Sequence, residues 1–258
     1  MIEKFEFALP DKEKIESSYR QNQGRAEIYL SCQVGCGVGC QFCACSEEWL
    51  IRDLNWKEIV AQAEVMLRDK SYQDLHILFN GIGEPTNNER AVIKAVKFLR
   101  KKCPAAKIQI TTTGANEKAM RKFALLPVSL QLSLHAPTTA LREQIIETVM
   151  DIKRILREAR RFAKIKEQKV TINYLLLNNF NDTFPVIDEL LRLLDPKYFR
   201  LQLSHLNEVA VRNFPYQDSP KFAILAEYIA SRGYEVTEFD DAGKIANAGC
   251  GQLTSSVE

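Results

Sequence analysis

An alternation that recurs along most of the chain constrains its fold more than any other feature: short β-branched or apolar runs separated by longer amphipathic segments. Runs 26–33, 73–80, 107–112, 128–134, 169–177, 198–205 and 234–239 have the period-2 or fully apolar patterns of strands. Between them, segments 56–69, 88–102, 116–124, 138–166, 182–194 and 219–232 carry apolar residues at helical spacing. Parallel strands need crossover connections, so six βα pairs and a last strand predict an α/β fold whose parallel sheet curls into a full or partial (βα)6 barrel. No repeat, low-complexity tract or Gly/Ser linker interrupts the 258 residues. A single domain over 1–258 is expected, with 1–25 as a short N-terminal extension and 240–258 as a C-terminal loop after the last strand.

In such folds the reactive side chains gather at the C-terminal ends of the strands. The unusual residues of this chain fall there: Cys36 to Cys45 after the first strand, Gly81 to Pro85 after the second, Thr113 and Gly114 after the third, His135 to Pro137 after the fourth, and Asn207 after the sixth. Hydrophobic residues make up 46% and charged residues 26%, an ordinary globular composition that argues against disorder or a coiled-coil rod. No apolar run reaches the roughly 18 residues needed to span a bilayer. The N-terminus is charged where a signal peptide would be apolar, so a cytoplasmic protein with no membrane partner is expected. Thirty-five Lys and Arg against 33 Asp and Glu give a net +2, so global charge neither establishes nor excludes RNA binding.

Seven cysteines are placed unevenly: Cys32, Cys36, Cys40, Cys43 and Cys45 fall within fourteen residues, while Cys103 and Cys250 stand alone. An odd total without an export signal points to metal or thiol chemistry and away from a disulfide framework. Cys36, Cys40 and Cys43 form Cys-x3-Cys-x2-Cys among Gly35, Gly37 and Gly39, so three thiolates from one loop can converge on one inorganic centre. A structural zinc takes four ligands, usually as two pairs, and would here recruit Cys32 or Cys45. Three cysteines on a [4Fe–4S] cluster instead leave one iron open to a cofactor.

The cysteine spacing resembles that of the radical S-adenosylmethionine (SAM) enzymes. Neighbouring residues narrow the resemblance to the RlmN/Cfr family of RNA adenine methyltransferases. Ser31-Cys32-Gln33-Val34-Gly35-Cys36 is similar to that family's Ser-Ser-Gln-Val-Gly-Cys, and Gly81-Ile82-Gly83-Glu84-Pro85 to its Gly-Met-Gly-Glu-Pro. Ser133-Leu134-His135-Ala136-Pro137 matches Ser-Leu-His-Ala-Pro, and Ala248-Gly249-Cys250-Gly251-Gln252-Leu253 is similar to Ala-Cys-Gly-Gln-Leu. The resemblance implies a radical SAM partial barrel with a [4Fe–4S] cluster on Cys36, Cys40 and Cys43. It implies SAM bound by Gly83, Glu84, Thr113, Ser133, His135 and Asn207. It also implies ribosomal or transfer RNA as substrate and a reductant such as flavodoxin or ferredoxin. Cys250 would take a methyl group from one SAM; a 5′-deoxyadenosyl radical made from a second would then activate that methyl for addition to an sp2 carbon of adenine.

Three features depart from the family pattern. The resolving cysteine that relatives carry seven residues before the first cluster ligand is replaced by Tyr29. Cys32, Cys45 or Tyr29 itself is left to take its place, although residues 29 and 32 on one strand point to opposite faces. Only about 25 residues precede the first strand, where relatives have a helical RNA-contacting domain, and this leaves open a small nucleotide, metabolite or peptide as substrate. Lastly, 151–169 carries Lys153, Arg154, Arg157, Arg160, Arg161, Lys164, Lys166 and Lys169 opposite an apolar face of Ile152, Ile155, Leu156, Ala159, Phe162 and Ala163. That pattern reads as a solvated helix face or as a phosphate-contacting surface. A non-catalytic zinc-binding module is the competing reading of another class, and His76 and His205 are read as structural.

Overall fold

A computed structural model describes residues 1–148, 150–207, 209, 214–239 and 251–255. Strands β1 (Ile2–Ala8), β2 (Lys14–Asn22) and β3 (Arg25–Tyr29) are antiparallel neighbours, with Phe5 opposite Ser17 and Ser18 opposite Tyr29. Two short strands, β4 (Gln33–Val34) and β5 (Arg52–Asp53), then pair with each other in a separate ribbon. The rest alternates: α1 (Trp56–Met66), β6 (Asp74–Phe79), α2 (Glu89–Lys102), β7 (Lys107–Thr112), α3 (Glu117–Phe123), β8 (Ser129–Ser133), α4 (Thr139–Arg142), α5 (Ile152–Lys166), β9 (Val170–Leu175), α6 (Phe184–Leu193), β10 (Phe199–Ser204), α7 (Phe222–Ser231) and β11 (Val236–Glu238). The main sheet has the order β1-β2-β3-β6-β7-β8-β9-β10-β11 and is parallel from β3 onward. All seven expected strands and the parallel α/β architecture are present, and no pairing closes the sheet among the described residues.

The sheet has two chemically different faces because side chains alternate along each strand. Ile28, Ile77 and Ile108 are register partners, as are Leu132, Ile172 and Leu201, and all are buried in the core shared with the helices. Each such side chain contributes about 1.5–3 kcal/mol on burial. The other face is polar: Gln109 donates to Gln131 at 2.5 Å and Gln131 to Gln202 at 2.7 Å, so amides from three strands meet in the lumen. Helix starts follow local chemistry. Asn55 accepts from the backbone N–H groups of Lys57 and Glu58, and Glu58 returns a bond to the Asn55 N–H, a reciprocal cap that sets the start of α1.

Residues 1–25, the N-terminal extension, carry β1 and β2, which lengthen the sheet. Two expectations are corrected. The first parallel strand ends at Tyr29, earlier than 33, because Gln33 and Val34 leave it to pair with Asp53 and Arg52. The helix expected over 138–166 is two helices, each with its own N-cap: Thr138 Oγ1 accepts from Leu141 N, and Asp151 Oδ1 from Arg154 N. The stretch between them folds back onto the cysteine loop, where Glu147 N donates to Gly39 O, Thr148 N donates to Val38 O, and Ile146 bridges Cys40. The apolar face of α5 is buried as expected. Its basic side is largely partnered: Arg154 and Arg157 meet Glu117, and Arg160 and Lys164 lie over the Tyr198 ring.

Candidate active site at the mouth of the barrel

The β4–β5 ribbon closes the base of the cysteine loop. Gly35 sits there at φ +72, and a Cβ on it would fall 2.2 Å from the Trp49 carbonyl, so only glycine fits. Cys36, Cys40, Cys43 and Cys45 line one cavity at the strand exits, and Cys43 N donates to Cys40 O within the loop. Burial pushes the Cys36 thiol up to about 12 and the Cys40 thiol well above its ordinary value; the neighbouring thiols act in the same direction. Cys43 is lowered, chiefly by its hydrogen bond with Cys45. Holding several of these sulfurs as thiolates in one pocket would need a positive partner, such as a metal centre. Cys36, Cys40 and Cys43 on one cavity make an all-sulfur donor set, which suits an iron–sulfur centre.

Glu84 is the knot of the mouth. Its Oε1 accepts from Thr86 N, Thr86 Oγ1 and Thr112 Oγ1, and its Oε2 from Thr113 N and Thr113 Oγ1, both at 2.8 Å. Five donors fasten one buried carboxylate, so the exits of β6 and β7 are tied together. Contact with a ligand ammonium requires a threonine hydroxyl to rotate away, because a carboxylate offers about four lone-pair sites. Gly83, at φ +101, lies so close to Gln33 that a Cβ would meet that side chain at 2.6 Å. Gln33 Oε1 in turn accepts from Glu84 N.

Ser133, His135 and Asn207 line the same cavity, together with Asn173 and Ser204. His135 has φ +61, unusual for a residue with a Cβ, and its carbonyl is pinned by Asn181 Nδ2 at 2.8 Å. Leu175 N donates to its Nδ1 at 3.0 Å, which fixes a neutral imidazole carrying its proton on Nε2. Burial, reinforced by the charge of Arg142, pushes its pKa down to about 3. Arg142 is fully buried, and it donates to Leu134 O, Thr113 O and Ser133 O. Burial lowers its guanidinium to about 10, still charged at neutral pH, while Cys40 and Glu84 support the charge. Its Nη1 is buried with no acceptor among the described residues.

The structure gathers Cys36, Cys40, Cys43, Gly83, Glu84, Thr113, Ser133, His135 and Asn207 around one cavity. Two expected residues lie elsewhere. Cys32 is packed in the apolar core, with its backbone held by Ile82, Leu54 and Asn88. The Tyr29 hydroxyl donates to Glu27 at 3.0 Å, and Leu78, its register partner, lines the opposite end of the barrel. Cys250 lies outside the described residues, but Gly251 to Ser255 are laid across the cysteine loop. Ala44 N donates to Gly251 O, the Cys45 thiol to Leu253 O at 3.2 Å, and Gly35 N to Ser255 Oγ. Sequence reasoning missed Arg142, which α4 turns back onto the exits of β7 and β8. It also read His205 as structural, whereas His205 lines the cavity while bonded to Asp218.

A profile described as the radical SAM superfamily matches residues 30–191. The dual-specificity RNA methyltransferase RlmN of Buchnera aphidicola is 30% identical over 96% of this chain and 72% of its own length. Its counterpart from a Sulfurovum species is 31% identical over 95% and 71%. A crystal structure of a radical SAM methyltransferase from Sphaerobacter thermophilus superposes with a TM-score of 0.91 at 28% identity, covering 99% of this chain and 78% of that one. Spore photoproduct lyase shares the fold alone, with a TM-score of 0.61 at 12% identity.

Proposed function

The chain belongs to the RlmN family of the radical SAM superfamily, and from that premise we propose that it methylates an sp2 carbon of adenine in RNA through Cys250. Members of the superfamily use a [4Fe–4S] cluster and SAM, which together supply one-electron cleavage of SAM and so a hydrogen-abstracting radical. Cys36, Cys40 and Cys43 would hold the cluster. Glu84, Gly83 and Thr113 would position the amino-acid end of SAM, with Ser133, His135 and Asn207 as neutral polar contacts along its length. A neutral His135 keeps a fixed donor in the cavity without adding charge. The reductant is a low-potential protein such as flavodoxin or ferredoxin, and the unpaired thiols suit the cytoplasm. No helix among the described residues is long and apolar enough to cross a membrane.

One observation carries the methyl-carrier role. Residue 251, which follows Cys250 in the chain, is hydrogen-bonded to residue 44 of the cysteine loop, and this contact supports the reading. Of the residues that could resolve a Cys250–base adduct, Cys45 is the one that lines the cavity and touches this segment. Its thiolate would attack the Cys250 sulfur. A Cys45–Cys250 disulfide forms as the S–C bond breaks, and the carbon leaves with that electron pair and takes a proton, becoming the methyl group of the product.

Mass spectrometry of the tryptic peptide 245–258, after incubation with SAM, tests the assignment. One added methyl on Cys250 is expected; an unmodified peptide from enzyme that cleaves SAM overturns the methyl-carrier reading.

A further inference from the structure

The barrel has a second opening. At the N-terminal ends of β6, β7, β8 and β10, a cavity of about 590 Å³ is lined by His76, Arg100, Lys107, Lys166 and Arg200, with Gln109, Ser129 and Gln168 among its neutral polar groups. Among the described residues no carboxylate lines it. The Gln109–Gln131–Gln202 amide layer crosses the lumen between this cavity and the mouth, where Thr111, Ser133 and Ser204 begin the other site.

The positive charge here is only partly balanced. Asp74 is shared among Lys107 at 3.0 Å, His76 at 2.9 Å and Arg25 at 3.6 Å. Glu235 is ion-paired with Lys169 at 2.6 Å and also feels the charge of Arg200, without a direct ion pair to it. Arg100, Lys166 and Arg200 have no carboxylate within ion-pair distance among the described residues. Arg100 donates to the carbonyls of Pro104, Ala106 and Pro127 while its Nε stays buried without a partner. Lys166 donates to Leu126 O, and Arg200 Nε donates to the Thr171 hydroxyl at 2.8 Å. Three cations held by neutral oxygens around one cavity are fixed in place without being neutralised, and such an arrangement attracts anions. Leu78, Ile108, Pro127 and Val128 add an apolar wall. The volume falls within the roughly 300–1,000 Å³ of small-molecule sites and far exceeds what one inorganic anion fills.

We propose that this basal cavity is a binding site for a phosphate-bearing ligand of nucleotide size, with phosphoryl oxygens on Arg100, Lys166 and Arg200 and an apolar or aromatic portion against Leu78, Ile108 and Val128. The phosphate belongs either to a free nucleotide or to an RNA backbone. The site is separate from the mouth, so the inference does not rest on the methyl-transfer reading.

Calorimetric titration of the full chain with inorganic pyrophosphate, ADP and an adenine-free oligouridylate tests it. Saturable binding of at least one probe is expected, with ADP tightest for a nucleotide site and the oligouridylate tightest for a backbone site. Arg200→Gln, which removes a cation held by a single structural bond, weakens that binding at least about tenfold, the equivalent of one lost charge-assisted hydrogen bond. Arg68→Gln, at an exposed position elsewhere, leaves it unchanged, and SAM affinity is unaltered in both variants. Absence of saturable binding by all three probes overturns the proposal. So does equal weakening in the Arg68 and Arg200 variants, which would mark non-specific attraction.

Discussion

Thr113 gives both its backbone N–H and its hydroxyl to one oxygen of Glu84, each at 2.8 Å, so with the Thr112 hydroxyl on the other oxygen the exit of β7 is clamped to the loop after β6. Replacing the carboxylate strips partners from several buried donors at once, whereas removing the hydroxyl leaves the N–H bond in place. Glu84→Gln should therefore cost about 2–3 kcal/mol of stability and Thr113→Val about 1 kcal/mol. Urea unfolding gives both numbers, and SAM affinity by equilibrium dialysis should fall in the same order. Equal losses in the two variants would show that Glu84 does not organise the mouth.

Arg142 ties the exits of β7 and β8 through three carbonyls and lowers the charge cost at Cys40. Arg142→Met takes the guanidinium donors from those carbonyls and removes a cation that acts on Cys40. A loss of about 3 kcal/mol is expected, with Arg142→Lys intermediate. Iron and sulfide retained per chain after an anaerobic chelator challenge should follow the order wild type, Lys, Met. Retention unchanged in the Met variant would leave Arg142 as scaffold alone.

Much of this arrangement was legible beforehand, for a physical reason. The seven parallel strands alternate between an apolar helix-facing side and a polar lumen, and that contrast is written in Ile28, Ile77 and Ile110 against Glu27, His76 and Gln109. Strand β2 is not legible, because its buried Glu16, Ser17 and Ser18 read as surface residues. Glu16 is met by Lys4 at 2.7 Å and Ser17 by Gln62 at 2.5 Å, partners distant in sequence. The break at 143–151 is hidden for a similar reason. Ile145 and Ile146 continue a helical apolar pattern, yet they pack beneath the cysteine loop with Val38. Motif spacing located nine of the mouth residues, but Arg142 acquires its role from the turn of α4 onto the β7 and β8 exits, and Cys45 from the C-terminal segment.

His135 supplies a pH dependence whose sign can be worked out. Its folded pKa of about 3 lies below the ordinary 6.5, so between those values the unfolded chain binds the extra proton. The stabilisation is complete above about pH 6.5 and declines as pH falls toward 3, by up to about 1.4 kcal/mol per unit. Anaerobic urea midpoints from neutral pH down to mildly acid pH should fall more steeply for wild type than for His135→Gln, which cannot titrate. Parallel profiles would place the acid sensitivity elsewhere.

The last prediction separates the three candidates for the second thiol chemistry. Cys45 lines the mouth and donates to Leu253 O, Cys32 is sealed in the core, and the Tyr29 hydroxyl is committed to Glu27. Cys45→Ala should therefore trap a covalent enzyme–RNA adduct at Cys250, visible as a shifted band under denaturing electrophoresis, with turnover reduced at least about a hundredfold. Cys32→Ala should destabilise the fold by about 1–2 kcal/mol through lost packing while still turning over without trapped adduct. Tyr29→Phe removes one hydrogen bond and should behave like wild type in the same assay. An adduct that accumulates in the Cys32 or Tyr29 variant, and not in the Cys45 variant, would reassign the step; in that event the strand bearing residues 29 and 32 would have to rearrange during turnover, since neither side chain lines the cavity as it stands.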